Sequence, residues 1–443
     1  MKLVKSMRFP AWFFCTSMAL GAVLAAAPSA MAQDTGGEDG FDPKTLCPPV
    51  RAIAVSGMFR NPDAEWLFCI PHPAFGMANG VLVAYAHGTV EVIEAEGSIE
   101  AITDELEGEL GGASTPGLLT QLGFSFGVVA RSKTGLSVPE GIDETKRLVD
   151  LYREEIFPKY FCQRSNGCPP PPTPPQPLAY VIGASQGGLI ATLLNEGDED
   201  ESFTGTMTIC APHGKFRAQF RYLFNYAVLF DYFFRDQFAQ PLLTKRGGQP
   251  HVPQRIIDNW ETGANYKQRI SNVISSPAQI DALSQAMRCA GVPSEEGNQV
   301  DVAMQLAEKS FLRINDGVET LGGNPTGNWN RIYSCSDNPF RLNFGVKRFR
   351  TDPAAVDMLN TFYETTGALR TPEVALHNVV DPGVPFWHEM IYWWKTVLSQ
   401  SDELFTATAL PRFGHCKVEP KEAVLAFAEL IQKTLGSKSP ANE

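Results

Sequence analysis

The sequence predicts an α/β fold: a doubly wound, mainly parallel sheet interrupted by a helical cap insertion. Short apolar runs alternate with helix-period segments between residues 65 and 213, the pattern that lays helices on both faces of a parallel sheet. The alternation then stops, and strand signals return only after residue 370. A gap of roughly 155 residues is too long for a structureless loop, so it reads as an inserted cap.

The elements follow in order. Residues 1–32 read as a secretory leader: Lys2, Lys5 and Arg8, an apolar stretch, then Ala30-Met31-Ala32 as a small-residue cleavage site. A mobile segment is expected over 33–64. The first core part, 65–213, opens with a strand at Glu65–Ile70 and a second at Gly80–Ala86, apolar enough to be buried on both faces. A helix at 113–122, a strand at Ser125–Ala130 and a helix at 142–157 capped by Asp143 come next. The proline-dense run Cys168–Pro177 reads as a stiff exposed loop or a polyproline segment. Strands at Leu178–Ile182 and Gly205–Cys210 bracket a helix from Gly188. The cap spans 214–370 and begins with an aromatic helix. The second core part, 371–436, holds strands at Glu373–Asn378 and Leu404–Ala409 and a closing helix at 419–435; a tail, 437–443, ends the chain.

Charge and cysteine content narrow the possibilities. The chain of 443 residues carries a formal charge of −12, which argues against nucleic acid and anionic membranes as partners. After the leader, no run approaches the length of a membrane span. Nine cysteines are present; Cys15 leaves with the leader, and an even number remains, compatible with disulfides in an exported protein. Cys162–Cys168 is the favoured pair, followed by Cys47–Cys69 and Cys289–Cys335. Zinc spacings are absent, so no metal is implied.

The chemistry centres on Gly183-Ala184-Ser185-Gln186-Gly187. With glycine near 7% of average sequences and serine similar, G-x-S-x-G arises by chance about once in three thousand positions. Its context raises its value: strand before, helix after, the setting of a nucleophile elbow. A serine hydroxyl is a poor nucleophile without a base. Of the histidines after the cap, His415 lies in a loop between the last strand and the last helix, where a base belongs. His377 reads as a structural strand-end residue and His388 as a packed helix residue. Asp381 directly follows a strand, in Val380-Asp381-Pro382-Gly383, and would hold one imidazole tautomer. The catalytic candidates are therefore Ser185, His415 and Asp381.

An oxyanion hole needs backbone N–H groups aimed at developing charge. Gln186 supplies one, as the residue after the nucleophile. The loop Ala86-His87-Gly88-Thr89 supplies the rest: Thr89 as donor, Gly88 to expose the amide and His87 to brace the loop. His87, Phe216 and Phe220 are the substrate-contact candidates. The aromatics of the cap helix serve either as a wall over the site or as cap core.

On residues 79–89, 178–194, 373–385 and 412–416, the chain resembles the α/β-hydrolase superfamily, in particular secreted bacterial serine esterases with a His-Gly oxyanion loop. The resemblance implies an α/β-hydrolase sheet, acyl transfer from an ester, thioester or amide, and no cofactor. Cys416 beside His415 is similar to the tannase and feruloyl esterase group, where a cysteine preceding the nucleophile bonds one beside the base. Here Ala184 precedes Ser185, so that pairing cannot form. The expected activity is carboxylic ester hydrolysis, on a small-molecule or polymeric ester, outside the cytoplasm. Two alternatives stand: a serine peptidase of the prolyl-oligopeptidase type, which the absence of a propeller-period repeat disfavours, and a non-catalytic binding protein of the same fold.

Overall fold

The structure, a computed structural model, describes residues 41–72, 78–108, 114–162, 177–199, 202–295 and 297–437. The expected leader, most of the proline-dense run, the Cys162–Cys168 pair and the tail beyond Ser437 lie outside the described residues.

Eight strands form one sheet in the order β1-β2-β4-β3-β5-β6-β9-β10. They are β1 (Ala52–Phe59), β2 (Ala64–Pro71), β3 (Leu82–Ala86), β4 (Ser125–Val129), β5 (Ala179–Ala184), β6 (Gly205–Ile209), β9 (Glu373–Val380) and β10 (Phe405–Phe413); β7 (Thr244–Arg246) and β8 (Gln249–His251) make a separate hairpin. β1, β2 and β4 pair antiparallel, and every other pairing in the sheet is parallel. β3, β5 and β6 are buried throughout, as strands covered on both faces must be. Helices Val138–Leu151 and Gln186–Glu196 share one core with the sheet. On the opposite side, Phe427 of the closing helix Pro420–Ser437 meets Tyr180 and Phe124 edge-on.

Two boundaries differ from expectation. Residues 42–64 are not a mobile segment: Leu46 is buried, Cys47 is bonded to Cys69, and β1 forms the sheet edge. The second helix starts at Val138, not near Asp143. Pro139 sits in its first turn, where a missing N–H costs nothing, and Asp143 lies inside it.

Between β6 and β9 the chain is mostly helical. Its centre is the helix Phe216–Phe234, packed on the helices Ile280–Ala290 and Gln299–Phe311 in a second apolar core. The aromatic helix faces two ways. Tyr226, Phe230 and Phe234 are buried in the cap core, while Phe216 and Phe220 line a cavity above Ser185. Among the described residues, no helix is long and apolar enough to cross a membrane.

Candidate active site

The turn after β5 is shaped by steric necessity. A Cβ on Gly187 would lie 1.9 Å from the Ala86 carbonyl oxygen, and one on Gly183 would lie 2.1 Å from that of Gly187. Only glycine lets the chain fold back this closely. Ser185 itself has φ 52° and ψ −121°, a conformation a non-glycine residue holds only when its surroundings impose it. Its N–H donates to the Ile209 carbonyl at 2.8 Å, which ties the turn to β6. The hydroxyl therefore projects from the carboxyl end of the sheet.

His415 and Asp381 arrive there from β10 and β9. His415 Nε2 lies 3.0 Å from Ser185 Oγ, and its Nδ1 lies 2.8 Å from Asp381 Oδ2. Both loops are firmly held. Asn378 of β9 bonds both the N–H and the carbonyl of Lys417, at 2.8 and 2.9 Å. Asp381 Oδ1 accepts the N–H groups of Gly383 and Val384 at 2.7 and 2.9 Å. From the cap, Tyr222 donates to the Pro382 carbonyl and Gln219 to that of Gly383. Burial would raise the Asp381 pKa, but the hydrogen-bonded His415, with His377 and the loop N–H of Val384, outweighs it and holds the carboxyl below its usual value. Burial lowers the pKa of His415, with Asp381 opposing it, so the imidazole is the neutral, proton-accepting form near pH 7.

Thr89 and Gln186 line the cavity beside Ser185. Gly88 does not offer its amide there: its N–H donates to both carboxylate oxygens of Glu105, at 2.8 and 2.9 Å. His87 is no substrate contact either. It is buried, with Nδ1 2.9 Å from the Gly88 carbonyl and Nε2 accepting the Arg131 N–H at 3.1 Å, so it acts as the brace. Phe216 and Phe220 do face the cavity, which encloses about 70 Å³ and is walled also by Leu136, Leu223 and Ile314.

Cys47–Cys69 and Cys289–Cys335 are bonded as expected. A third bond, Cys210–Cys416, was not foreseen. β6 lies beside β5, so the residue at its end reaches the loop that the residue before Ser185 cannot. Cys210, Cys416 and His415 also cluster closely enough to suggest a metal site. With the two sulfurs bonded to each other and His415 turned to Ser185 and Asp381, that donor set does not fit one. Cys210 and Cys416 both have positive φ, 46° and 51°, so the bond holds two unfavourable backbone positions next to the histidine. Replacing both by serine is expected to cost about 2–5 kcal/mol in urea unfolding and to lower kcat more than it changes KM.

Arg131 and Glu105 were missed. Arg131 had a signal, as a charged residue at the carboxyl end of an apolar strand, where sites form; Glu105 had none.

The strand order, with its antiparallel edge and the serine turn after the central β5, decides the fold. It is the α/β-hydrolase fold. No family model matches the chain, and no curated protein does. Among solved structures it is similar to an esterase from Aspergillus oryzae, with 10% identity and a TM-score of 0.46 over 88% of this chain and 80% of that one. An esterase from Rhizomucor miehei gives 13% and 0.41 over 89% and 87%. An acylaminoacyl peptidase from Pyrococcus horikoshii gives 8% and 0.41 over 89% and 44%. The chain spans less than half the length of the acylaminoacyl peptidases it matches.

Proposed function

We propose that this α/β-hydrolase-fold protein is an exported serine hydrolase that cleaves carboxylic esters through an acyl-enzyme. The observation that carries the reading is the position of His415, within hydrogen-bond reach of both Ser185 and Asp381. In this reading Nε2 takes the Ser185 proton as Oγ bonds to the acyl carbon. The carbonyl electron pair moves onto oxygen, which the N–H groups of Thr89 and Gln186 receive. Collapse expels the alkoxide, protonated by His415, and leaves the acyl group on Ser185. Water, deprotonated by the same imidazole, then releases the carboxylic acid. Asp381 orients the ring and stabilises the imidazolium.

The apolar walls and narrow cavity favour a short or flat acyl group over a long chain. Export is supported by the leader-like first 32 residues and by disulfides that persist in oxidising compartments.

A fluorophosphonate probe tests the reading. The wild type is expected to take up one equivalent and Ser185→Ala none, and p-nitrophenyl acetate and butyrate should be cleaved faster than the palmitate. Labelling of Ser185→Ala equal to wild type would sink it. Peptide p-nitroanilides turned over faster than the esters would assign a peptidase instead.

A further inference from the structure

We propose that Arg131 and Glu105 form a clamp that aims the Thr89 amide of the oxyanion hole, the same buried guanidinium reaching the Gln186 side chain through Ser137. The inference rests on the esterase reading above and adds to it two positioning residues.

The geometry begins with the parallel pairing of β3 and β4, in which Tyr85 lies opposite Val128. The loops leaving both strands are therefore neighbours. Arg131, 4% exposed, reaches back across this boundary. Its Nη1–H donates to the His87 carbonyl at 2.7 Å and its Nη2–H donates to the Gly88 carbonyl. The His87 ring also faces the Gly88 carbonyl. Because its Nε2 accepts the Arg131 N–H, its proton is on Nδ1, and that N–H donates to the same carbonyl.

Two successive carbonyls thus face one guanidinium. In a trans peptide, the N–H points opposite to the carbonyl of the same plane. Gripping the Gly88 carbonyl therefore turns the Thr89 N–H away from Arg131. Gripping the His87 carbonyl turns the Gly88 N–H the same way. Two successive amides on one side form a concavity for negative charge. Glu105 takes the first of them, and its carboxylate is fixed in turn by the Tyr85 hydroxyl at 2.8 Å. The second, Thr89, is left to the cavity wall next to Ser185. The site and the clamp are in contact: a Cβ on Gly88 would lie 3.1 Å from Glu105 Oε2 and 3.6 Å from Ser185 Cβ.

The guanidinium also reaches the side chain of Gln186, through Ser137. Arg131 Nε–H donates to Ser137 Oγ at 2.8 Å, and Ser137 Oγ–H donates to the Gln186 side-chain carbonyl at 3.2 Å. Gln186 completes the link by donating to the Gly135 carbonyl. The Thr89 amide and the Gln186 side chain are thereby both tied to one planar group with fixed fork geometry. Lysine, with a point charge on a flexible stem, cannot reproduce it.

The test is kinetic. Arg131→Lys keeps the charge beside Glu105 and so preserves folding better than an apolar substitution. Its kcat on p-nitrophenyl acetate is expected to fall by roughly 10²–10³-fold, the loss that follows removal of one oxyanion donor, with KM nearly unchanged. Affinity for a trifluoromethyl ketone, which becomes a tetrahedral adduct of Ser185, should fall in step with kcat/KM. Affinity for the matching methyl carbinol, which develops no oxyanion, should stay. Glu105→Ala should lose kcat in the same way, and Glu105→Gln, which can still accept the Gly88 N–H, should restore most of it. The clamp is overturned if folded Arg131→Lys keeps wild-type kcat, or if both inhibitors weaken equally. Wild-type enzyme that takes no fluorophosphonate would instead defeat the esterase reading itself.

Discussion

Asp381→Asn is expected to lower kcat by roughly 10⁴-fold with little change in KM or stability. The reason lies in which oxygen the loop already uses. Oδ1 accepts two backbone N–H groups, from Gly383 and Val384. An asparagine must keep its carbonyl oxygen there, because an NH₂ group would oppose two donors. Its NH₂ then occupies the place of Oδ2 and donates to His415 Nδ1. The imidazole proton is forced onto Nε2, facing Ser185 Oγ, and the lone pair that should accept the serine proton is gone. Loop anchors from Tyr222 and Gln219 are untouched, so the fold should persist. Steady-state kinetics with p-nitrophenyl acetate checks this. A variant keeping a tenth or more of the wild-type kcat would mean that Asp381 does not set the tautomer.

The fold was legible where burial is complete. β3 and β5 are buried on both faces, so Leu82–Ala86 and Ala179–Ala184 appear as continuous apolar runs that composition alone marks as central strands. β1 was not, because Ala52–Phe59 is half exposed at the sheet edge and its pattern is neither continuous nor cleanly alternating. Ser185, Asp381 and His415 were legible because each sits at a strand end with a sequence pattern of its own. Cys210–Cys416 was not: the bond spans 206 residues, and only the adjacency of β5 and β6 brings its ends together. Glu105 fails for the same reason: it is an ordinary charged residue until the fold sets it against the loop after β3. Arg131 stands at a strand end, but its partners appear only once the parallel register of β3 and β4 is known. His377 shows the opposite case: it is structural, as its strand position indicates, yet its Nε2 holds the Val384 carbonyl at 2.7 Å and so steadies the Asp381 loop.

Beneath that loop lies a buried ionic network whose disruption should carry a large stability effect. Glu389 takes His213 Nε2 at 3.2 Å and His377 Nδ1 at 2.8 Å; the other side of His213 faces Glu373 at 3.3 Å, and all four are buried. Burial opposes every charge here. For His213 the neighbouring carboxylates prevail and raise its pKa to about 9. Glu389, between two histidines, is held well below its ordinary value against burial. Glu373 is raised, burial prevailing over its bonds to His213 and Thr192. A histidine whose folded pKa exceeds its unfolded value stabilises fully below about 6.5. That contribution is lost as pH rises through about 9. The depressed Glu389 contributes above its unfolded value and loses its share as pH falls below it, whereas the raised Glu373 costs stability as pH rises from its unfolded value through its raised one. The alkaline limb, where His213 titrates, is the readout. Wild-type unfolding free energy should fall by on the order of 3 kcal/mol between pH 6 and pH 9.5. Glu389→Gln removes the carboxylate shared by the two buried imidazoles and should cost about 3–5 kcal/mol at pH 6, with a much shallower alkaline loss. Urea unfolding at the two pH values measures both, and a Glu389→Gln protein as stable as wild type at pH 6 would remove the network from the account of stability. Because Glu389 also positions His377, and His377 the loop of Asp381, loss of activity in alkali should precede unfolding.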